Sequence, residues 1–483
     1  MIFNSIEFFI FLPLVFSIFW VFAKRGVKTQ NFILLVASYV FYGWWDYRFL
    51  SLIVLSTLVD YVVGRKIYAS QDRSHQKKWL TLSLVFNLGL LGFFKYFDFF
   101  VHSFITAFSF AGAKMEHQWT LDIVLPVGIS FYTFQTLSYS LDIYRERLKP
   151  SENFISFATY VAFFPQLVAG PIERASQLLP QIDGDKKFKY DQAVQGLKLM
   201  LWGLFKKIVI ADALAPIVDD IFQHADSYPS TTLALGGILF GFQIYGDFSG
   251  YSDIAIGTAK LFGIELMSNF KFPYFSRSIA EFWRRWHISL STWFRDYLYI
   301  PLGGSKAGRT KAVQNIFIIF LVSGLWHGAN WTFVIWGLFH AILFLPLFYL
   351  NLNRNFLETP NLFSSVRTFF VEGTQILWTF ILVTIGWIFF RSETLSNALL
   401  YLKRMLFDFS HSEYHHPNGY RMLDYYLLLV GFSIFEYIIR ADERNPIGFK
   451  NRYVRFLVYL ILIFIMALFY DDGVDRSFIY FQF

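Results

Sequence analysis

The chain contains no cysteine. That excludes disulfides, S-palmitoylation, thiolate nucleophiles and any thiol-carried acyl intermediate on this polypeptide. An acyl group handled here would sit on oxygen, on nitrogen or on a bound cofactor. Charge is scarce as well: Asp, Glu, Lys and Arg make up 16% of the residues, against 55% hydrophobic and 21% aromatic. Strand-type alternation is missing, which excludes an outer-membrane barrel. The net charge of +7 is ordinary for such a composition and gives no argument for a nucleic-acid partner.

What is present is apolar length. Runs able to cross ~30 Å of hydrocarbon as helices recur from end to end. Candidates are 6–23, 29–43, 49–63, 79–111, 123–141, 154–171, 192–222, 232–267, 313–350, 372–390, 421–439 and 454–470. Several are too long for one crossing and imply breaks or pairs of shorter helices. The expectation is an all-α integral membrane protein with roughly 10–12 embedded helices. It forms one domain over 1–483, with no low-complexity linker and no clear internal repeat. Lys24, Arg25 and Lys28 follow the first apolar run, and Met1 to Glu7 before it carry no basic side chain. This reads as an uncleaved first span with its N-terminus outward. Arg440, Arg444, Lys450, Arg452 and Arg455 precede the last span, and Asp471-Asp472 follow it, so the tail 471–483 is expected outside too.

From Ala312 to Leu350 there is no Asp, Glu, Lys or Arg, yet His327 sits inside that run, in Ser323-Gly324-Leu325-Trp326-His327-Gly328-Ala329-Asn330-Trp331. An ionisable group at membrane depth is costly and marks a candidate functional site. Imidazole is also suited to take and return a proton near neutral pH. The plainer alternative is a packed histidine donating one hydrogen bond.

The segment Arg277–Lys311 has seven basic residues against two acidic ones, which places it on the cytoplasmic side. Trp283, Trp286, Leu290, Trp293 and Tyr297 recur at helical spacing and predict an amphipathic helix lying on anionic lipid. Its arginines also suit phosphate groups. The polar stretch Gln243–Asp253 is rich in small residues that let helices approach; Asp247 and Asp253 require partners if buried. In 392–420, His411, His415 and His416 suggest a metal, but Pro417-Asn418-Gly419 reads as a turn, so a solvated loop and no metal site are expected.

Four passages in order carry a resemblance: Phe164–Ile172, Asp247–Gly257, Phe282 through Gly304, and Trp326-His327-Gly328. With Phe3-Asn4-Ser5 and Phe478–Phe483 at the ends, the chain resembles the membrane-bound O-acyltransferase (MBOAT) family, in its bacterial branch containing the alginate O-acetylation membrane subunit. The resemblance implies a polytopic fold around a central tunnel in the bacterial inner membrane. It implies a cytoplasmic donor, acetyl-CoA, used as substrate with no bound cofactor. It further implies an extracytoplasmic SGNH or esterase-like partner that acetylates a polysaccharide, alginate-like or peptidoglycan. It makes His327 the essential histidine and His287 a second functional one.

On that reading His327 serves as base among Trp326, Trp331 and Trp336. In a continuous helix Ser323 and Asn330 share its face and orient its ring, while His340 falls on the opposite face. Nearer the cytoplasmic mouth, Arg284, Arg285 and Arg295, with Trp283 and Trp286, are candidate donor-binding residues. Tyr480 is a candidate acyl relay, which the resemblance suggests for the terminal motif; the alternative is an aromatic belt at the membrane surface. Rival functions are D-alanyl transfer from a carrier-protein thioester to teichoic acid, direct acylation of a lipid or protein, and a transporter or flippase.

Overall fold

A computed structural model describes residues 1–110, 121, 123–306, 308–470 and 478–479. Among these residues all regular structure is helical, as the composition predicts. Seven segments are long and apolar enough to cross a membrane: Ile6–Arg25, Val27–Ala69, Arg73–Ser109, Trp331–Tyr349, Val366–Arg391, Met422–Ile439 and Arg452–Phe469. The number is below 10–12 partly because two of them hold more than one helix. Val27–Asp46 runs through a 3-10 turn into Leu50–Ala69, and Arg73–Leu91 runs through a π turn into Phe97–Phe110. Other expected runs are interrupted. The stretch 154–171 forms only Phe154–Ala162 and the four-residue turn Phe164–Leu167: the backbone leaves the helix at Phe163 (ψ 105°), and Pro165 sits in the first turn of the new helix, where its missing N–H costs nothing. The stretch 313–350 is a pair of helices, Arg309–His327 and Trp331–Tyr349.

The chain divides into two compact units. One comprises Met1–Gly196 and Ala255–Met267, the other Leu197–Ile254 and Ser268–Phe483. In the first unit the helices Leu50–Ala69, Arg73–Leu91 and Ile129–Tyr144 meet around the fully buried Asp60. Its carboxylate accepts hydrogen bonds from Ser83, from Ser140 (2.7 Å) and from Asn87 Nδ2 (2.7 Å), while Asn87 in turn accepts from Ser56 (2.9 Å). Hydrogen bonds in this number offset part of the cost of taking an acidic group away from water.

The second unit is built around an aromatic core. Trp286 and Trp387 lie 4.8 Å apart between ring centroids, Trp336 and Trp387 6.0 Å, and Trp283 and Trp336 5.6 Å. The single lipid-lying helix expected over 277–297 is not what forms. The backbone breaks at Trp286-His287 into Ile279–Arg285 and Ile288–Phe294, and Trp286, Leu290, Trp293 and Tyr297 are all buried. Helical spacing picks out the apolar stripe correctly, but the stripe faces protein rather than lipid.

Candidate active site

His327 is the last residue of Arg309–His327, and the chain then turns through an extended Gly328. The helical hairpin that follows is held at very short range. A Cβ on Gly324 would stand 2.2 Å from the Phe333 carbonyl oxygen, and one on Gly337 2.2 Å from that of Phe320. Glycine at both positions is therefore a condition of this approach. The His327 side chain is buried, 2% exposed, with ring centroids of Trp326, Trp336 and Phe390 at 5.1, 5.0 and 5.4 Å. Trp331, expected in this wall, is more than half exposed instead.

The helix break also separates the two expected orienting residues. Ser323 remains one turn before His327 and buried. Asn330 belongs to the next helix, which it caps: its Oδ1 accepts from Thr332 N (3.1 Å) and its Nδ2 donates to Glu393 O (2.8 Å). An Asn in this position is favoured as an N-cap, so the helical-face argument fails at the glycine before it. His340 lies beyond Trp336, whose centroid is 5.0 Å from His327 and 5.1 Å from His340.

His287 comes to the same place from the other direction. Its ring is fully buried, with its centroid 6.1 Å from that of His327 and 5.7 Å from that of Trp326. It caps Ile288–Phe294 in a left-handed conformation, φ +44°, which is strained for a residue with a side chain. Neighbouring strands of chain hold it there: Ile288 N donates to Asn269 O (2.9 Å) and Lys271 N to Arg285 O (3.0 Å). The Asn269 Oδ1 accepts from Ser289 N (3.3 Å), Ser289 Oγ (2.8 Å) and His287 Nδ1 (3.1 Å).

Those bonds fix a tautomer. The amide N–H of Ser289 can only donate, so the atom facing it is the Asn269 oxygen and the His287 Nδ1 must carry the proton. Nε2 is then a lone-pair acceptor, buried and without a hydrogen-bond partner among the described residues. Burial lowers the ring from its ordinary value to about 3, which keeps it neutral at any physiological pH.

Of the donor-binding candidates, Arg285 and Arg284 are engaged inside the fold. Glu281, itself fully buried, receives Arg285 Nε (3.1 Å) and a terminal nitrogen (2.8 Å), and Arg277 from its other side (3.0 and 3.1 Å). Arg277 also pairs with Glu372 at 3.0 Å. Arg284 donates to the carbonyls of Asn353 (2.6 Å), Asn355 and Phe356. Arg295 differs: its side chain is 57% exposed and pairs laterally with Asp296, at 2.7 Å. Trp283 and Trp286 belong to the aromatic core, with indole N–H groups that have no acceptor among the described residues.

The family model for membrane-bound O-acyltransferases matches residues 40–393. The chain is 42% identical over 404 residues to the probable alginate O-acetylase of Azotobacter vinelandii, covering 82% of this chain and 76% of that protein. The chain belongs to the membrane-bound O-acyltransferase family. It is also similar to the peptidoglycan O-acetyltransferase of Helicobacter pylori, at 37% identity over 84% of this chain and 80% of that one. The similarity to the teichoic acid D-alanyltransferase of Bacillus subtilis is 30% over 48% of this chain and 62% of that one.

In this acyltransferase the residues that sequence reasoning missed are those supplied from a distance. Asn269 stands 18 positions from His287 and carries no motif of its own. Lys206 and Lys207, on the π turn Lys206–Asp212, are the partners that Asp253 and Asp247 required, at 2.6 and 2.7 Å. Glu281 was legible: it is the one acid within Arg277–Arg285, four residues from an arginine on either side. Tyr480 lies outside the described residues, as does the rest of the tail 471–483 apart from Phe478 and Ile479. His416 is buried rather than solvated, with Nδ1 accepting from Asn418 N (3.0 Å) and Nε2 facing Tyr425 Oη (3.2 Å). Among the described residues no group of three or more His, Asp or Glu is placed to hold a metal.

Proposed function

We propose that this acyltransferase moves acetyl from cytoplasmic acetyl-CoA to a hydroxyl on the outer side of a bacterial inner membrane. From there an SGNH or esterase-like partner would deliver it to a polysaccharide, alginate-like or peptidoglycan. The observation that carries the reading is the meeting of His287 and His327 in a tryptophan-walled interior, 6.1 Å apart between ring centroids.

The two rings have different parts. His327 takes the proton of the incoming hydroxyl as the oxygen attacks the thioester carbonyl. As the C–S bond breaks, that proton passes to the departing CoA sulfur, so an ester and free thiol result. The position of His327 at a helix C-terminus favours the positive charge that develops on its ring. His287, held neutral, is too weak a base to store a proton; its Nε2 accepts a hydrogen bond that aligns the hydroxyl or its neighbour. The tryptophans exclude water, which would otherwise hydrolyse the donor. Arg295 is the candidate for the donor's phosphates because its guanidinium is the exposed one; Arg295→Ala should raise the donor KM more than it lowers kcat. Tyr480 remains a candidate relay between this interior and the partner, with both chain ends outside.

The test uses purified protein in nanodiscs with radiolabelled acetyl-CoA, following CoA release and label on the protein in wild type and Tyr480→Phe. CoA release by wild type supports the donor, and a C-terminal acetyl adduct absent from Tyr480→Phe supports the relay. No release from acetyl-CoA, with turnover of a D-alanyl carrier-protein thioester instead, would replace acetyl with D-alanyl.

A further inference from the structure

Asp247, the first acid of the Gln243–Asp253 stretch, is not used by the reaction above, yet it is heavily committed within its unit. It is 3% exposed. One of its oxygens pairs with Lys207 Nζ at 2.7 Å, and Lys207 is held in turn by Asp212 at 2.9 Å. The other oxygen accepts the backbone N–H of Ile479 at 2.6 Å, a bond spanning 232 positions of sequence. A backbone amide bound to a buried carboxylate is a charge-assisted contact, stronger than one between neutral groups.

The residue beside that bond extends the contact inward. Phe478 is 1% exposed and Ile479 5%. The Phe478 ring lies 4.7 Å from Tyr251 and 5.8 Å from Phe248 between centroids, and Phe248 stands edge-on to His287 at 4.7 Å. The terminal segment is thus one aromatic ring away from the histidine pair. A tail that merely anchored the chain in lipid would have no need of a buried ion pair to receive its backbone.

We propose that the Lys207–Asp247 pair is a positioning device: it clamps the chain's own C-terminal segment, at Phe478–Ile479, against the ring that backs His287. Asp247, Lys207 and Phe478 are positioning residues, acting on the reaction through Phe248 and His287. The π turn Lys206–Asp212 offsets the helical register and brings two successive lysines inside, both buried. Lys206 goes to Asp253 and Lys207 to Asp247, so the turn supplies the clamp. This inference rests on the catalytic reading of His287 and His327 for its kinetic consequence, but not for the docking itself.

The absence of cysteine makes the docking directly measurable. In the full-length protein in nanodiscs, Ile479→Cys provides a single thiol whose maleimide labelling reports the exposure of the tail. The thiol should label slowly in the parent. Labelling should accelerate about tenfold or more when Asp247→Ala or Phe478→Ala is added. A second single thiol, Ser156→Cys in the other unit, should label at an unchanged rate in either background, which separates tail release from unfolding. Phe478→Ala leaves the ion pair intact, so it keeps the test open if Asp247→Ala fails to fold. Where the tail is released, kcat should fall about tenfold with the donor KM within twofold, and Asp247→Glu should restore part of it. An unchanged labelling rate in both backgrounds would overturn the clamp. Faster labelling with unchanged kcat would overturn its positioning role, whatever the donor proves to be.

Discussion

Asp60 in the first unit and the histidine pair in the second are both ionisable groups buried among helices, and the fold surrounds them in opposite ways. Around Asp60 the hydrogen-bond partners are hydroxyls and an amide, and its carboxyl group receives Ser83, Ser140 and Asn87 at once. Around the histidines the neighbours are rings. Among the described residues, His287 has one nitrogen bound to Asn269 and the other without a partner, and His340 has neither nitrogen hydrogen-bonded. Burial costs each polar group the same kind of desolvation. In the first case hydrogen bonds offset it, and the result is a knot joining three helices. In the second, His287 Nε2 has no hydrogen-bond partner among the described residues, as in a place where a substrate supplies the contact. Burial alone therefore does not identify a site; the kind of group that surrounds the buried one separates the two cases.

The contrast can be broken most decisively at His327. His327→Ala should lower kcat about a thousandfold, within the ~10²–10⁴ that a general base contributes, with the protein still monodisperse. A loss below tenfold would place that ring with the structural groups. Asp60→Ala should do the reverse. It orphans three donors and should cost about 1–3 kcal/mol, read as a lower unfolding midpoint, with the specific activity of the folded fraction retained. If turnover fell more than stability, Asp60 would belong to the reaction.

Asn269 sharpens the comparison, because it is a satisfied group serving an unsatisfied one. Asn269→Leu should lower kcat about tenfold, the rate equivalent of the ~1.4 kcal/mol that a lost orienting hydrogen bond can cost. Asn269→Asp, which still accepts from His287 and Ser289, should keep most of the rate. Equal losses in the two would mean that the tautomer is not what Asn269 controls.

The smallest effect is on acid stability. His287 is lowered to about 3 in the folded protein from an ordinary 6.5. Between those values the unfolded chain binds the additional proton, so stability is full above about 6.5 and declines as pH falls toward 3. The unfolding midpoint of wild type should therefore drop more steeply from pH 6.5 to pH 4 than that of His287→Gln. Parallel curves would remove His287 as the source.

Part of the site is legible in the sequence. The stretch without acid or base from Ala312 to Leu350 isolates His327, and the glycines beside it mark a close helix pair. The apolar pattern misplaces Asn330 and Trp331 because it fits one long helix as well as two short ones, and periodicity does not register a break at Gly328. Arg284 and Arg285 look available in a basic segment, since sequence shows charge but not which carbonyls and carboxylates reach it.

The sequence by itself determined an all-helical membrane acyltransferase, because apolar length, lone polar residues and ordered motifs are local properties of the chain. Only the tertiary structure decided which groups stay open. The Asn269–His287 bond, the Glu281 arginine clamp and the Asp247 contact to Ile479 join side chains and backbone that periodicity does not relate. Hydrogen bonds form between atoms about 3 Å apart, and the folding that brings distant positions to that range leaves no spacing rule in the sequence.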